Sequence, residues 1–319
     1  VIIFSICFSK DITIEQASLV AKNLFSDRNT NQLDFSYSSI ETITKNNINL
    51  YYVFNINPKG FIIISADNRS LPILGYSFAG DFIYDREFPS NLQYIFSMYE
   101  TEIFDNINLD KIQSEYIKNE WNKYLSEDFQ SNKSRLSVSP LMDSRWNQDN
   151  PWNAQCPSDQ NGPGGNVYAG CVAVSMAQIC YYWSFPEVGQ GSHGYYSNYG
   201  YLSVDFGEQA YNYDDMYDNF ASEEAQKLLY HLGVAIDMGY SPDGSGAWVG
   251  QGNPSAMTAL RDHFLFDDSI DYISKNSFSN ADYLSIIVDE LNNNRPLISR
   301  GCSNDGCHAW NLDGYDGDY

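Results

Sequence analysis

The sequence predicts an α+β protein with two domains. After residue 140, helical patterns come first and strand-like patterns come last, an order typical of α+β folds rather than of doubly wound sheets. A polar stretch without apolar periodicity, residues 126–140, ends in Pro140 and is typical of a linker. With 319 residues, the chain is long enough for a hydrophobic core on each side of that linker.

The region before the linker begins with a helix and continues with strands. Residues 11–25 carry apolar side chains at helical spacing, and Thr13 with Gln16 forms a predicted capping box. Turn-forming residues then separate apolar runs rich in β-branched and aromatic side chains. The predicted strands lie within 50–56, 59–67 and 71–80, and a second helical stretch runs from about 91 to 124.

The region after the linker alternates helices with loops before its final strands. Its Gly- and Tyr-rich segment, 189–213, is predicted as loop with short strands. Helices are predicted at 171–183, 222–240 (ending in a strand or turn), 253–264 and 281–294, and strands at 295–301 and 308–317.

Charge and composition limit the possible partners. The net charge is −23, so the chain repels phosphate backbones and nucleic acid is not an expected partner. Residues 1–135 carry a net charge of −5 and residues 136–319 carry −18. All four histidines and five of the six cysteines also follow the linker, so we expect the chemistry in the second region.

The first nine residues, VIIFSICFS, are typical of the apolar core of a signal peptide. The alternative is a buried strand at the start of a domain. We favour the signal peptide and therefore expect the protein to be exported. We expect no membrane association after signal removal, because no later segment approaches 18 uninterrupted apolar residues. Six cysteines in a chain of this length do not make a disulfide scaffold.

Cys171 is the candidate nucleophile, because it begins the predicted helix 171–183. A helix N-terminus supplies partial positive charge that favours a thiolate, and Gly170 permits a close approach. The alternative is an ordinary buried cysteine of a core helix. Cys180 lies on the opposite side of that helix among apolar and aromatic residues and is interpreted as core.

His308 is the candidate base, because it is predicted to begin a strand after a turn. Its ordinary pKa of about 6.5 suits proton exchange with a thiol. His231 and His263 lie within helices and His193 lies in a loop, which favours packing or surface roles for these three. Gln148, in a turn-rich stretch, could join the backbone N–H of Cys171 in an oxyanion hole.

Cys302, Cys307 and His308 are also close together in the sequence. Their spacing does not match the usual paired zinc motifs, and a short disulfide between the two cysteines is at least as plausible in an exported protein. We therefore expect neither a metal nor a cofactor.

Taken in order, four stretches resemble the streptopain family of papain-like cysteine peptidases, which are bacterial exported enzymes made as zymogens. They are PLMDSRWNQDNPWNAQCP, AGCVAVSMAQICYYW, GVAIDMGYSPDGSGA and GCHAWNLDGYDG. Upstream, GFIIISADNRSLPILGYSFAGDF resembles the inhibitory propeptide of the same family. The resemblance covers residues from about 10 to the end. It implies a papain-like α+β fold, with a central helix packed on an antiparallel sheet.

The resemblance also implies roles for single residues. Cys171 would be the nucleophile, His308 would hold it as an ion pair and protonate the leaving amine, and Gln148 would donate to the oxyanion. A glycine- and serine-rich loop would lie along the cleft for protein or peptide substrates. Its candidate substrate-binding residues are Ser241, Gly244, Ser245, Gly246 and Ala247.

The implied organisation is a signal remnant at 1–9, an inhibitory pro-domain at 10–135 that acts in cis, and a peptidase domain at 136–319. Activation would cut the chain near 130–139, with Lys133 and Arg135 as candidate positions.

The chain departs from the family pattern in two ways. Cys307 stands where the family usually has Gly before the histidine, and the Asn and Trp of the family's next strand fall beyond Tyr319. We therefore expect the last strands of the peptidase domain to lie outside this sequence. The alternatives are an exported, non-enzymatic homologue whose first domain is an inhibitor or interaction module, and an acyl transferase that uses another acceptor.

Overall fold

A computed structural model describes residues 11–29, 34–78, 80, 82, 88, 90–130, 137–303 and 306–316. The chain divides into two units. The first comprises Val1–Phe88 and Leu92–Ser134, and the second comprises Pro89–Asn91 and Arg135–Tyr319.

In its described residues, the first unit combines three helices with a four-stranded antiparallel sheet in the order β1-β2-β3-β4. The capping box is confirmed, since Thr13 accepts a hydrogen bond from the N–H of Gln16 and the Gln16 side chain accepts one from the N–H of Thr13. The elements are α1 (Ile14–Arg28), β1 (Tyr37–Lys45), β2 (Ile48–Ile56), β3 (Phe61–Ser65), β4 (Ile73–Ser77), α2 (Ser90–Asn108) and α3 (Glu115–Tyr124).

Two features of this unit differ from the prediction. The stretch 91–124 was predicted as one helical stretch, but it forms two helices, because Asp110 adopts a left-handed φ of 45° and Ser114 caps a new N-terminus. Strand β1 was not predicted. Its residues are mostly exposed or half-buried, so it lacks the apolar run that marks the other strands.

Both faces of the sheet in the first unit are covered. Phe54 and Ile62 pack in a core that includes Trp121 of α3, whereas Val53 packs in a second core that includes Phe96 of α2. Successive residues of a strand point to opposite faces, which explains why β2 is apolar at consecutive positions.

The second unit has its helices before its last strands, which confirms the predicted α+β class. The four α-helices found where the structure describes this unit overlap the four predicted segments, and α5 ends at Ala235, before Asp237 with its left-handed φ of 49°. The elements are β5 (Ser137–Val138), α4 (Cys171–Trp183), β6 (Ser192–Ser197), β7 (Gly200–Asp205), α5 (Glu223–Ala235), α6 (Ala256–Asp262), α7 (Asn280–Asn292), β8 (Leu297–Ser303), β9 (Gly306–Leu312) and β10 (Tyr315–Asp316).

Helix α4 runs through the core of this unit. Its small and apolar residues, among them Ala173, Met176 and Ala177, are fully buried, and it packs against α5, α6 and the β8–β9 hairpin. Within the part of the chain that the structure describes, no helix is both long enough and apolar enough to cross a lipid bilayer. The fold therefore places the N-terminus of α4 next to a two-stranded antiparallel sheet.

Candidate active site

Helix α4 begins at Cys171, immediately after a position that requires glycine. Gly170 has a φ of 91°, which side-chain-bearing residues rarely adopt. A Cβ at this position would also lie 2.5 Å from Cε and 2.7 Å from Sδ of Met238, and 3.2 Å from the carbonyl oxygen of Ser245. Gly170 thus lets the chain turn into the helix while Met238 and Ser245 pack against its start.

Cys171 is a free, partly buried thiol at this N-terminus. Its Sγ accepts a hydrogen bond from the backbone N–H of Ala309 at 3.4 Å. Ala309 lies on β9 and directly follows His308, so this hydrogen bond joins the N-terminus of α4 to the backbone of β9 next to His308.

His308 is the third residue of β9, not the first residue of the strand as the sequence predicted, because the strand starts at Gly306. It is half-buried, and its cross-strand partner on β8 is Gly301. The Trp310 ring lies against that glycine, since a Cβ there would be 2.8 Å from the indole. The side-chain space next to His308 is therefore filled by an aromatic ring.

The other three histidines have polar partners away from Cys171. The structure places each in a local contact of the kind expected for packing or surface roles. His193 Nε2 lies 2.6 Å from Asp237 Oδ1, His231 Nδ1 lies 3.2 Å from the Tyr211 hydroxyl, and His263 Nδ1 lies 3.2 Å from the Gln190 carbonyl oxygen.

Gln148 is buried and is held close to the start of α4. Its backbone carbonyl oxygen accepts a hydrogen bond of 2.8 Å from the backbone N–H of Ala169, two residues before Cys171. Nearby, Trp146 stacks on Tyr181 of α4 with ring centroids 5.0 Å apart. These contacts fix the loop that carries Gln148 against the helix.

Asn153 organises the loop that leads into α4. It is fully buried, and its Nδ2 donates to the carbonyl oxygens of Pro163, Asn166 and Val167 at 2.8, 3.2 and 3.1 Å. One amide therefore bonds three backbone acceptors of this loop.

A cavity of about 230 Å³ lies between these elements. Cys171 and Gln148 both line it, and His308 is not among the described residues that do. The other lining residues are Met142, Ser144, Asn147, Val174, Ser175, Gln178, Ala309, Trp310, Asn311 and Asp313.

Burial opposes charge on both members of the candidate pair. It raises the pKa of the Cys171 thiol, against the lowering effect of N–H groups from Ala309, Val172 and Cys171 itself. It also lowers the pKa of His308. Each group alone therefore favours its neutral form, so a thiolate–imidazolium pair depends on the attraction between the two opposite charges.

The candidate substrate loop is a tight turn beside the start of α4. Gly239 and Gly246 exchange backbone hydrogen bonds of 2.9 and 3.3 Å, and the Tyr168 N–H reaches the carbonyl oxygen of Ser241 at 3.4 Å. The buried Ser245 hydroxyl accepts from the N–H of Ser241 at 3.1 Å. Gly244 and Gly246 are exposed, and Ser241 and Ala247 are partly exposed.

The four other cysteines among the described residues do not resemble a nucleophile. Cys302 and Cys307 form a disulfide across the β8–β9 pair, so neither thiolate is available for the zinc alternative. Burial raises the pKa of Cys156 to about 12 and also raises the pKa of the fully buried Cys180.

Sequence reasoning did not identify Gln178 and Asn311, which also line the cavity. Gln178 lies seven residues after Cys171 and therefore faces the same side of α4. Asn311 lies two residues after Ala309 and shares its face of β9. A polar residue on the active face of an otherwise apolar helix is the signal that could have found Gln178.

A free cysteine at the start of a central helix, a histidine-bearing strand of an antiparallel sheet and a nearby glutamine define the class of papain-like cysteine peptidases. The chain belongs to the Peptidase C10 family, which matches residues 146–319. Residues 9–103 match the Spi protease inhibitor family.

Relatives of known sequence agree with this assignment. Streptopain of Streptococcus pyogenes is 28% identical over 291 residues, covering 83% of this chain and 68% of streptopain. The thiol protease/hemagglutinin PrtT of Porphyromonas gingivalis is 27% identical over 332 residues, covering 96% of this chain and 36% of that protein.

Solved structures agree as well. A mutant prointerpain A fragment of Prevotella intermedia matches with a TM-score of 0.66 and 26% identity, covering 88% of this chain and 85% of the fragment. Active interpain A of Prevotella intermedia matches with a TM-score of 0.51 and 32% identity, covering 57% of this chain and 78% of interpain A. The chain is therefore a cysteine endopeptidase zymogen with an inhibitor-like propeptide, and the predicted papain-like fold is confirmed.

Proposed function

We propose that Cys171 is the nucleophile of this cysteine peptidase, that His308 is its general base and acid, and that Gln148 is its oxyanion donor. One observation carries the proposal. The Sγ of Cys171 lies at the N-terminus of α4, 3.4 Å from the backbone nitrogen that follows His308, and lines the same cavity as Gln148.

The reaction follows from these positions. His308 takes the proton of the Cys171 thiol, and the thiolate attacks the carbonyl carbon of the scissile peptide. The Cys171 N–H and the Gln148 side-chain amide donate to the resulting oxyanion. His308 then protonates the leaving amine, the C–N bond breaks, and a thioester remains. Water, deprotonated by His308, attacks the thioester and releases the acid and the thiol.

Substrate contacts are proposed for the loop formed by residues 239–247. Its exposed glycines leave their backbone open to an extended peptide, and Ser241 and Ala247 are partly accessible. The Ser245 hydroxyl contributes by holding the turn, because it bonds the Ser241 backbone.

Residues 10–135 are proposed to inhibit the peptidase domain, residues 136–319, in cis until the linker is cut near 130–139. Lys133 and Arg135 are the candidate cleavage positions, and both lie outside the described residues, as does the proposed export signal at 1–9. The natural substrates are proposed to be proteins or peptides met after secretion. The net charge of −23 argues against nucleic acid as a partner.

Thiol labelling tests the nucleophile. After activation, iodoacetamide near pH 6 should alkylate Cys171 first and abolish hydrolysis of a denatured protein substrate. Cys156 and Cys180 serve as internal controls, because both are buried and burial raises the pKa of each thiol. Equal, slow labelling of the three cysteines would refute the assignment.

The Cys171→Ala precursor tests autocatalytic processing. It should stay uncut where the wild-type precursor matures, because no nucleophile remains to form the thioester. Normal maturation of the Cys171→Ala precursor in the producing cells would point to a separate protease.

A further inference from the structure

The side chain of Gln178 joins the three chain segments that carry the proposed catalytic residues. The first segment is the loop 141–148, which holds Gln148. The second is helix α4, which begins at Cys171, and the third is strand β9, which holds His308. Gln178 is half-buried and lines the same cavity as Cys171 and Gln148.

The amide nitrogen of Gln178 holds the loop. Its Nε2 lies 2.9 Å from the carbonyl oxygen of Ser144 and 3.1 Å from the Ser144 hydroxyl. Ser144 is four residues before Gln148, so these contacts fix the loop to α4 upstream of the oxyanion donor. The backbone bond from Ala169 to Gln148 fixes the same loop at its other end.

The amide oxygen of Gln178 holds the strand. It accepts a hydrogen bond of 3.1 Å from Nδ2 of Asn311. The same Nδ2 also donates to the carbonyl oxygen of Ser175 at 3.1 Å. Asn311 is three residues after His308, so these two hydrogen bonds join β9 to α4 close to the proposed base.

Geometry connects these contacts to the nucleophile. Cys171, Ser175 and Gln178 lie on one face of α4, with Gln178 about 10 Å along the axis from Cys171. Ala309 and Asn311 lie on one face of β9, and both contact this face of α4. A slide of β9 along α4 would therefore break the Asn311 contacts and the Ala309–Cys171 contact together.

We propose that Gln178, acting with Asn311, is a positioning residue that sets the register of His308 and Gln148 relative to Cys171. The proposal rests on the catalytic roles proposed above. Gln178 touches no reacting atom. Its amide is suited to the task because a planar group with one acceptor and two donors bonds a strand and a loop simultaneously.

The experiment compares Gln178→Met with Gln226→Met in the full precursor after activation. Methionine preserves approximate length and volume but removes the polar amide. Gln226 is a matched control, since it is also a half-buried helical glutamine of the second unit, and its Nε2 donates to the Ala221 carbonyl oxygen at 2.9 Å within its own helix region.

We expect Gln178→Met to lower kcat by about 10- to 100-fold while KM changes less than about 3-fold, because misplacement affects the transition state more than substrate binding. Alkylation of Cys171 should slow in parallel, whereas Gln226→Met should stay within about 2-fold of wild type. Asn311→Leu should reproduce the defect. The double variant should be less impaired than the two single effects combined predict, since the Gln178–Asn311 hydrogen bond is already lost in either single variant.

Equal kcat for Gln178→Met and Gln226→Met would overturn the inference, and so would additive effects of Gln178→Met and Asn311→Leu. Failure of the proposed function is distinguishable, because Cys171→Ala would then retain hydrolysis. If Cys171→Ala is inactive and Gln178→Met is fully active, only the positioning role fails.

Discussion

Replacing Gly170 by alanine should destabilise the start of α4 more than a comparable glycine replacement elsewhere. The change adds one Cβ to a residue with a φ of 91°. That Cβ would lie 2.5 Å from Cε and 2.7 Å from Sδ of Met238, a side chain that is fully buried. Ordinary carbon contacts are about 3.5–4.0 Å, so Met238 or the helix start must move.

Two costs add at this position. A side-chain-bearing residue in such a backbone conformation costs about 1–3 kcal/mol. Overpacking a core contact costs typically about 1–3 kcal/mol more. Gly165→Ala isolates the first cost, because Gly165 has a φ of 88° and nothing within 4 Å of its Cβ position. We therefore expect Gly170→Ala to lose about 1–3 kcal/mol more free energy of unfolding than Gly165→Ala.

Labelling of Cys180 measures this difference locally. Cys180 lies on α4 and is fully buried, so alkylation requires opening of the second unit. If opening is reversible and faster than labelling, an extra 1–3 kcal/mol corresponds to labelling about 5- to 150-fold faster in Gly170→Ala. Both variants are compared at one pH and one reagent concentration.

Equal labelling rates in the two variants would refute the packing argument. A second comparison uses Met238→Val, which removes the atoms that meet the new Cβ. The double variant Gly170→Ala/Met238→Val should be more stable than the sum of the single effects predicts. The reason is that the clash requires both the alanine at position 170 and the methionine at position 238.

Three further predictions concern stability. Burial lowers the pKa of His231 to about 4. As the pH falls from about 6.5 to 4, the unfolded chain therefore gains a proton that the folded chain does not, and up to about 3 kcal/mol of the free energy of unfolding is lost. His231→Gln should flatten this part of a plot of the urea unfolding midpoint against pH. Asn153→Asp should cost about 2–4 kcal/mol, because its loop carbonyls lose their donor, and thermolysin should then cut the loop faster than in the wild type. Reducing the Cys302–Cys307 disulfide should lower the free energy of unfolding by at most about 2 kcal/mol, since the loop that it closes is short. Hydrogen exchange of the backbone amides in β8 and β9 should then become faster, and unchanged exchange rates would contradict this prediction.

The sequence predicted the parts of the candidate site that have strong local signals. Helix 171–183 was predicted with its observed limits because Gly170 precedes an apolar run that ends at Trp183. Cys171 and Gln148 line one cavity, and the residue after His308 bonds Cys171, but the family resemblance and not the spacing implied that these segments meet.

Other features were not predictable, because they depend on tertiary contacts. The pairing of Gln178 with Asn311 joins residues 133 positions apart. Sequence spacing left the pairing of Cys302 and Cys307 open, and the register of β8 against β9 determines it. The break at Asp110 depends on a left-handed backbone conformation that no glycine marks.

The hydrogen bond from the Ala309 N–H to Cys171 Sγ has a consequence for genetics. Its donor belongs to the backbone, so a substitution of the buried Ala309 tests the packing of its side chain and does not by itself test this hydrogen bond. Among the encoded amino acids, only proline removes that N–H, and an ester in place of the amide removes it without changing the side chain. The contribution of this contact to the reactivity of Cys171 is therefore measured by a change in the backbone and not by a change of side chain.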